Sequence, residues 1–286
     1  MDETERRRKM VRTSTIIAVV VTLLVSLVLP VIVYIVYGVK NKGKGVWTAW
    51  LLGAAGFIVF QMVIRIPALN VLALHPGFVA FSQKHYILYC FILALTAALF
   101  EVAGRYIVAK ILSKKPTFER GMAAGLGHGG IEAMMLIGMT YINNLVYILM
   151  INTGSFDAVV EQTAALGVDT SALVTIKETL INSGSFVFYL AGFERILTMI
   201  GHTALSLVVC YFVWKKKDLL GIGICVVCHF LIDFVSPVVN GLATVHLGNV
   251  LSVSAAYVII YVFLTIVAII SILAIKKLKG KWESAV

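Results

Sequence analysis

The sequence has few charged residues. Only 13% of its 286 residues are Asp, Glu, Lys or Arg, whereas 60% are hydrophobic. Soluble globular domains carry about 25% charged residues, which is close to twice this share. The scarcity of charge therefore excludes an ordinary soluble fold and indicates a protein embedded in a membrane.

Three further absences limit the class of protein. The sequence has only four cysteines, and all of them fall within hydrophobic runs, so a disulfide framework is not expected. It also has no internal repeat and no low-complexity segment. No cleavable signal peptide is expected, because the run after the basic start is long enough to remain as an anchor. We therefore expect a single transmembrane domain over residues 1–286.

Long hydrophobic runs are abundant. A membrane-spanning helix needs roughly 20 apolar residues, and continuously apolar runs favour helices over a barrel. The sequence predicts an all-α polytopic fold of about seven helices, with an eighth crossing within Ile66 to Ser82 as the alternative. Pro67 and Pro76 favour a bent, interfacial or re-entrant piece there. The seven helices are placed near 14–38, 46–66, 86–112, 118–150, 187–214, 218–240 and 249–275.

The net charge of +10 comes mostly from short basic clusters at the ends of the predicted helices. Cytoplasmic loops carry an excess of Lys and Arg, so the clusters report membrane topology and not nucleic-acid binding. The last three place the C-terminus in the cytoplasm, in a multi-pass protein of the cell membrane. With seven crossings, the N-terminal basic cluster then lies outside the cytoplasm, which contradicts the rule that Lys and Arg concentrate in cytoplasmic loops. The clusters are Arg6–Lys9, Lys40–Lys44, Lys114–Arg120, Lys215–Lys217 and Lys276–Lys281.

One polar segment, residues 152–182, interrupts the hydrophobic sequence. Its acidic residues outnumber Lys177, and Asp169 to Ser171 offer an N-cap for a short helix. We expect an insertion of one or two amphipathic helices outside the cytoplasm. This insertion is either a solvated loop or a lid over a site.

Ionisable side chains lie inside four of the predicted helices. Such residues are costly within a bilayer, so a buried functional site is the default hypothesis when several cluster. With a helix rise of about 1.5 Å per residue, each lies about 15–18 Å from the cytoplasmic end of its helix. The helices are therefore expected to bring them to one depth near mid-membrane. The residues are Glu101, His128, His202 and His229.

Three imidazoles and a carboxylate meet the needs of a catalytic zinc site. Three protein ligands hold the metal and leave one position for a water whose pKa falls to about 7. We predict His128, His202 and His229 as the ligands of a divalent metal, most simply Zn²⁺. Glu101 is the first choice for the general base, and Glu132, four residues after His128, is the second.

Three more residues are predicted to belong to this site, Arg105 as a catalytic residue and Asp233 and Glu194 as supporting residues. Arg105 either neutralises and orients the base or binds a substrate carbonyl. Asp233 is a further ligand or an acceptor that fixes an imidazole tautomer. Glu194, near the outer end of its helix, is an interfacial ion pair or a catalytic group. Gln61 and Arg65 either pair with the site or extend to the membrane surface.

Four motifs resemble the YhfC family of bacterial integral membrane proteins, and the resemblance covers essentially the whole chain. That family is grouped with the Abi superfamily, which includes the type II CAAX prenyl proteases and PrsW. The motifs are FEVAGRY (100–106), GLGHGGIEA (125–133), GFERILTMIGHTALS (192–206) and CHFLID (228–233).

The superfamily pattern has a Glu-Glu pair followed by Arg or Lys, then Phe-x-x-x-His or Glu, then His-x-x-x-Asn or Asp. Val102 stands where the second Glu is common, so that carboxylate is missing here or its role is taken by Glu132. Ala124 stands where the pattern has Phe. The positions that match are Glu101, Arg105, His128, His229 and Asp233.

The resemblance implies an intramembrane metalloprotease that acts on a membrane-embedded or lipid-linked protein substrate. A Glu-activated water held by histidines without metal is the alternative mechanism. Two other functions stay open at this point. One is a transporter of a divalent metal or small solute, and the other is a non-catalytic membrane scaffold of the same superfamily. Neither the residues nor the resemblance indicates an oligomeric state.

Overall fold

The computed structural model of the protein describes residues 10–284, so the basic cluster Arg6–Lys9 lies outside the described residues. Between residues 10 and 284 the chain forms ten α-helices and no strand. In chain order they are α1 (Thr13–Lys40), α2 (Val46–Ala73), α3 (Pro76–Lys84), α4 (Tyr86–Leu112), α5 (Phe118–Thr153), α6 (Phe156–Ala165), α7 (Ser171–Asn182), α8 (Ser185–Trp214), α9 (Asp218–Leu242) and α10 (Val253–Glu283).

Seven of these helices are long and apolar enough to cross a membrane, and α3, α6 and α7 are the short exceptions. This confirms the predicted all-α polytopic fold with seven spanning helices. Their outward faces are apolar, as on α10, where Val262, Ile266 and Leu273 are each more than half exposed. Such a surface suits lipid and not water.

The region of the possible eighth crossing contains no spanning helix. Helix α2 continues through Pro67 to Ala73, and α3 has only nine residues. A π-helical stretch, Ile58–Arg65, ends two residues before Pro67. Because proline has no N–H group to donate, a change in the hydrogen-bonding pattern there lets the helix continue.

The chain separates into two compact units. The first contains the chain up to Pro30 together with Ala133–Ile196. Its core includes Val19, Tyr141 and Phe188. The backbone carbonyl of Phe188 accepts hydrogen bonds from the hydroxyls of Thr22, at 2.6 Å, and Tyr141, at 3.2 Å. These bonds fix α8 against α1 and α5 within this unit.

The polar segment 152–182 belongs to the first unit and contains α6 and α7. Lys177 pairs with Asp157 at 2.5 Å and ties the two helices together. Asp169 accepts hydrogen bonds from the backbone N–H and the hydroxyl of Ser171, both at 2.9 Å. These bonds hold the pKa of the Asp169 carboxyl below its ordinary value. Its location outside the cytoplasm and the single-domain organisation stay predictions.

The second unit contains Val31–Glu132 and the chain from Leu197 onward. Its helices approach closely at glycines. A Cβ atom at Gly127 would overlap the backbone of Trp50, and one at Gly125 would overlap the backbone of Thr203. Small residues allow such backbone contact between membrane helices. The polar side chains of α5 are therefore held close to α2 and α8.

Candidate functional site

Glu101 of α4 lies at the centre of a buried cluster in the second unit, where its side chain is only 4% exposed. Its Oε2 atom is 3.0 Å from Nε2 of His128 on α5. The same atom is 3.5 Å from Nε2 of His229 on α9 and 3.8 Å from Nδ1 of His202 on α8. The structure thus brings together the four residues that the sequence placed at one depth.

Arg105, one turn after Glu101, joins the cluster through four contacts. One terminal nitrogen, Nη2, lies 2.5 Å from Nδ1 of His202 and 3.3 Å from Oε2 of Glu101. The other, Nη1, lies 3.3 Å from Nδ1 of His229. Its Nε donates to the Ser206 hydroxyl at 3.2 Å. One guanidinium therefore links three helices of the site.

These contacts determine which ring nitrogens carry hydrogen. A guanidinium can only donate, so Nδ1 of His202 and Nδ1 of His229 accept from Arg105. In a neutral ring the hydrogen then sits on Nε2. Each Nε2 faces a carboxylate. Oε2 of Glu132 lies 2.9 Å from Nε2 of His202, and Oδ2 of Asp233 lies 3.1 Å from Nε2 of His229. The Asp233 carboxylate therefore has the position of a group that fixes the tautomer of His229.

Every helix of the site contributes two polar residues four positions apart, so both lie on one helix face. Three of these pairs are apparent from the ionisable residues alone. The fourth, His202 and Ser206 on α8, was missed because serine carries no charge. The repeated spacing of four residues is the signal that could have found Ser206.

Gln61 and Arg65 do not extend to the membrane surface. Arg65 is 9% exposed and lies at the end of the π-helical stretch of α2. It donates to the Leu93 carbonyl at 2.7 Å, to Thr96 Oγ1 at 3.2 Å and to Gln61 Oε1 at 3.3 Å. These partners are uncharged, and two of them belong to α4. Arg65 thus joins α2 to the helix that carries Glu101.

Glu194 pairs with the neighbouring Arg195 at 2.5 Å, and its side chain is about one third exposed. It belongs to the first unit and lies eight residues before His202 on α8. This geometry matches the ion pair of the sequence analysis. A supporting role in catalysis stays a prediction.

A divalent metal fits the donor atoms of the cluster. Glu101, His128, Glu132 and His202 each offer one ligand atom, and these four atoms lie within 4.8 Å of one another. Two imidazoles and two carboxylates are donors that zinc and related ions accept, and the carboxylates balance a double positive charge. This set differs from the predicted three histidines, because it contains Glu101 and Glu132 and not His229.

Comparison with known proteins gives the family. A family model described as YhfC intramembrane metalloprotease matches residues 25–260. The chain belongs to the YhfC family. This confirms the resemblance carried by the four motifs, and the matched range includes every residue of the cluster. The "Uncharacterized membrane protein YhfC" of Bacillus subtilis (strain 168) is 32% identical over 182 residues, which cover 63% of this chain and 69% of the relative. No solved structure matches this YhfC-family chain.

Proposed function

We propose that this YhfC-family protein is an intramembrane peptidase that hydrolyses a peptide bond of a membrane-embedded or lipid-linked substrate. The observation that carries the proposal is the position of Glu101. This carboxylate is buried among three imidazoles and a guanidinium, within helices that can cross a membrane. Ionisable groups at such a depth are rare unless they serve a function.

Glu101 acts as the general base in this proposal. Its carboxylate accepts the proton of a water molecule while the water oxygen attacks the carbonyl carbon of the scissile bond. The C–N bond then breaks, and the same proton passes to the departing amine. Arg105, whose Nη2 lies 3.3 Å from Oε2 of Glu101, places a positive charge beside this base.

The histidines orient this base. His128 donates to Glu101 from Nε2, and His229 approaches the same oxygen from α9. Because these contacts come from separate helices, the carboxylate is held from several directions at once. A base held in this way meets its substrate with little reorganisation.

The family name and the donor atoms together support a divalent metal, for which we propose zinc. It would be held by His128, Glu132, His202 and one carboxylate oxygen of Glu101, which leaves the other oxygen of Glu101 to act as the base. When bound, such an ion activates water and polarises a carbonyl group. Glu132, the second choice for the base, then serves as a ligand. A Glu101-activated water without metal is the alternative mechanism.

The substrate reaches this site from the bilayer in our proposal, and the C-terminus of the enzyme lies in the cytoplasm. Asp233 is 32% exposed, whereas the side chains of Glu101 and His229 beside it are almost fully buried. The polar cluster therefore meets the surface at Asp233 on α9. The lipid bilayer and a peptide or lipidated protein are the expected partners.

The test is to search for cleavage products in the membranes of host cells that produce the protein. We expect new N-termini within or beside hydrophobic segments, detected by mass spectrometry, with the wild type and not with Glu101→Gln. Glu161→Gln on the exposed face of α6 is the matched control and should cleave like the wild type. Equal products from wild type and Glu101→Gln would refute the peptidase. Zinc flux into proteoliposomes without cleavage would favour the transporter.

A further inference from the structure

Arg105 occupies ring nitrogens that a metal needs. Its Nη2 lies 2.5 Å from Nδ1 of His202, which is one of the four residues whose donor atoms fit a divalent ion. A metal ligand must offer a free lone pair, and the other nitrogen of a neutral ring must then carry the hydrogen. Neither nitrogen of His202 meets this requirement while Arg105 stays in place.

The conflict holds whichever nitrogen binds the metal. If Nδ1 is the ligand, its lone pair is already shared with the guanidinium. If Nε2 is the ligand, the hydrogen moves to Nδ1 and points at the N–H groups of Arg105, so that two donors face each other. Histidines that bind metals normally direct the second nitrogen at a carboxylate, a carbonyl or water.

We propose that Arg105 and a divalent metal are alternative partners of His202. The guanidinium must withdraw from Nδ1 before the ion binds, so Arg105 limits both the affinity and the rate of metal loading. This inference rests on the metal of the proposed function but not on the peptidase reaction. It makes Arg105 a residue that decides when the site holds a cation.

The surroundings of Arg105 make its withdrawal slow. A cavity of about 10 Å³ lies beside it, lined also by His128, Ser206 and Cys210. This is about the space that a single water requires, and it is too small for a guanidinium. The Arg105 side chain, which is 1% exposed, can therefore leave His202 only if neighbouring helices shift.

The test is metal binding to the purified full-length protein in detergent, with Co²⁺ as the probe and its visible absorption as the readout. We expect Arg105→Met to bind Co²⁺ at least about tenfold more tightly than the wild type, because a positive charge beside the ion is removed. It should also reach saturation faster. Arg65→Met is the matched control, since Arg65 is also buried but its hydrogen bonds go to no histidine. It should change the affinity less than about threefold.

The outcomes separate this inference from the metal site itself. Tighter and faster binding in Arg105→Met alone supports the competition. Equal or weaker binding in this variant, with one ion per wild-type chain, overturns the competition and leaves the metal site standing. Failure of both proteins to bind Co²⁺ overturns the metal site as well.

A second measurement applies if Arg105→Met does not fold. Nitrogen-15 spectra of histidine-labelled wild type after chelator treatment should show hydrogen on Nε2 of His202 and none on Nδ1. The signal is assigned by its loss in His202→Gln. Addition of Zn²⁺ should change this pattern, whereas hydrogen on Nδ1 before the metal is added would overturn the inference.

Discussion

At the scale of single residues, the cluster is a set of matched donors and acceptors. Nδ1 of His202 and Nδ1 of His229 face Arg105, and their Nε2 atoms face Glu132 and Asp233. Removal of one partner from a buried pair leaves a charge or polar group without compensation, which costs about 3–5 kcal/mol for an ion pair. Substitutions here therefore affect stability as well as function, and each test needs a control for folding.

His202 and His229 should differ in their effect on metal content. His202→Ala removes one of the four donors, so we expect the purified protein to lose its metal. His229 lies outside that set, and the loss of an outer contact typically lowers metal affinity about 10–100-fold. His229→Ala should therefore retain the ion when metal is supplied in excess, although its activity falls.

The measurement is elemental analysis of detergent-purified proteins after dialysis against excess zinc. His246→Ala is the control, since His246 stacks on Tyr86 and belongs to no metal cluster within residues 10–284. About one zinc per chain in wild type and His229→Ala, with loss in His202→Ala, is the expected result. Loss in both variants would favour the three-histidine site predicted from the sequence.

At the scale of helices, the site depends on how closely α2, α5 and α8 approach. Glycine at 125 and 127 removes the side chains that would separate these backbones. His128 follows directly in the sequence, so its distance from Glu101 is set by this packing. A change in the helix spacing would therefore move Glu101 and His128 apart without altering either residue.

Gly127→Ala should lower stability by roughly 1–3 kcal/mol, because its methyl group would overlap the backbone of Trp50 and force the helices apart. Gly223→Ala on α9 is the matched control, since a Cβ atom there has open space around it. That change should stabilise the helix by about 0.5–1 kcal/mol. Thermal unfolding of the purified proteins compares the two, and similar melting temperatures would contradict the close packing.

The helix pattern explains what the sequence could and could not predict. Runs of apolar residues and the spacing of four residues in pairs such as His128 and Glu132 are local features, so the spans and the shared site followed from them. The contact of Arg105 with His202 joins residues 97 positions apart. The packing of α4 against α8 decides that contact, and no local pattern encodes it. The π-helical stretch before Pro67 was likewise hidden, because its residues are all compatible with an ordinary α-helix.

At the scale of the whole molecule, the charge distribution and the seven spanning helices together predict a topology. The basic clusters at 114–120, 215–217 and 276–281 lie beside ends of α4, α5, α8, α9 and α10. Lys and Arg concentrate in cytoplasmic loops, so these ends are expected on the cytoplasmic side. The acidic segment with α6 and α7 follows α5, which crosses the membrane once, so this segment is expected on the side opposite the cytoplasm.

Cysteine labelling in intact cells tests this topology. Ser284→Cys should react with a membrane-impermeant maleimide only after the cells are opened, whereas Val168→Cys should react from outside. Val168 is 55% exposed between α6 and α7. The unmodified protein is the control, because Cys90, Cys210 and Cys225 are buried and Cys228 lies within α9. Labelling of Ser284→Cys from outside would reverse the topology. The basic clusters would then face the exterior, and the rule that relates positive charge to the cytoplasm would fail for this chain.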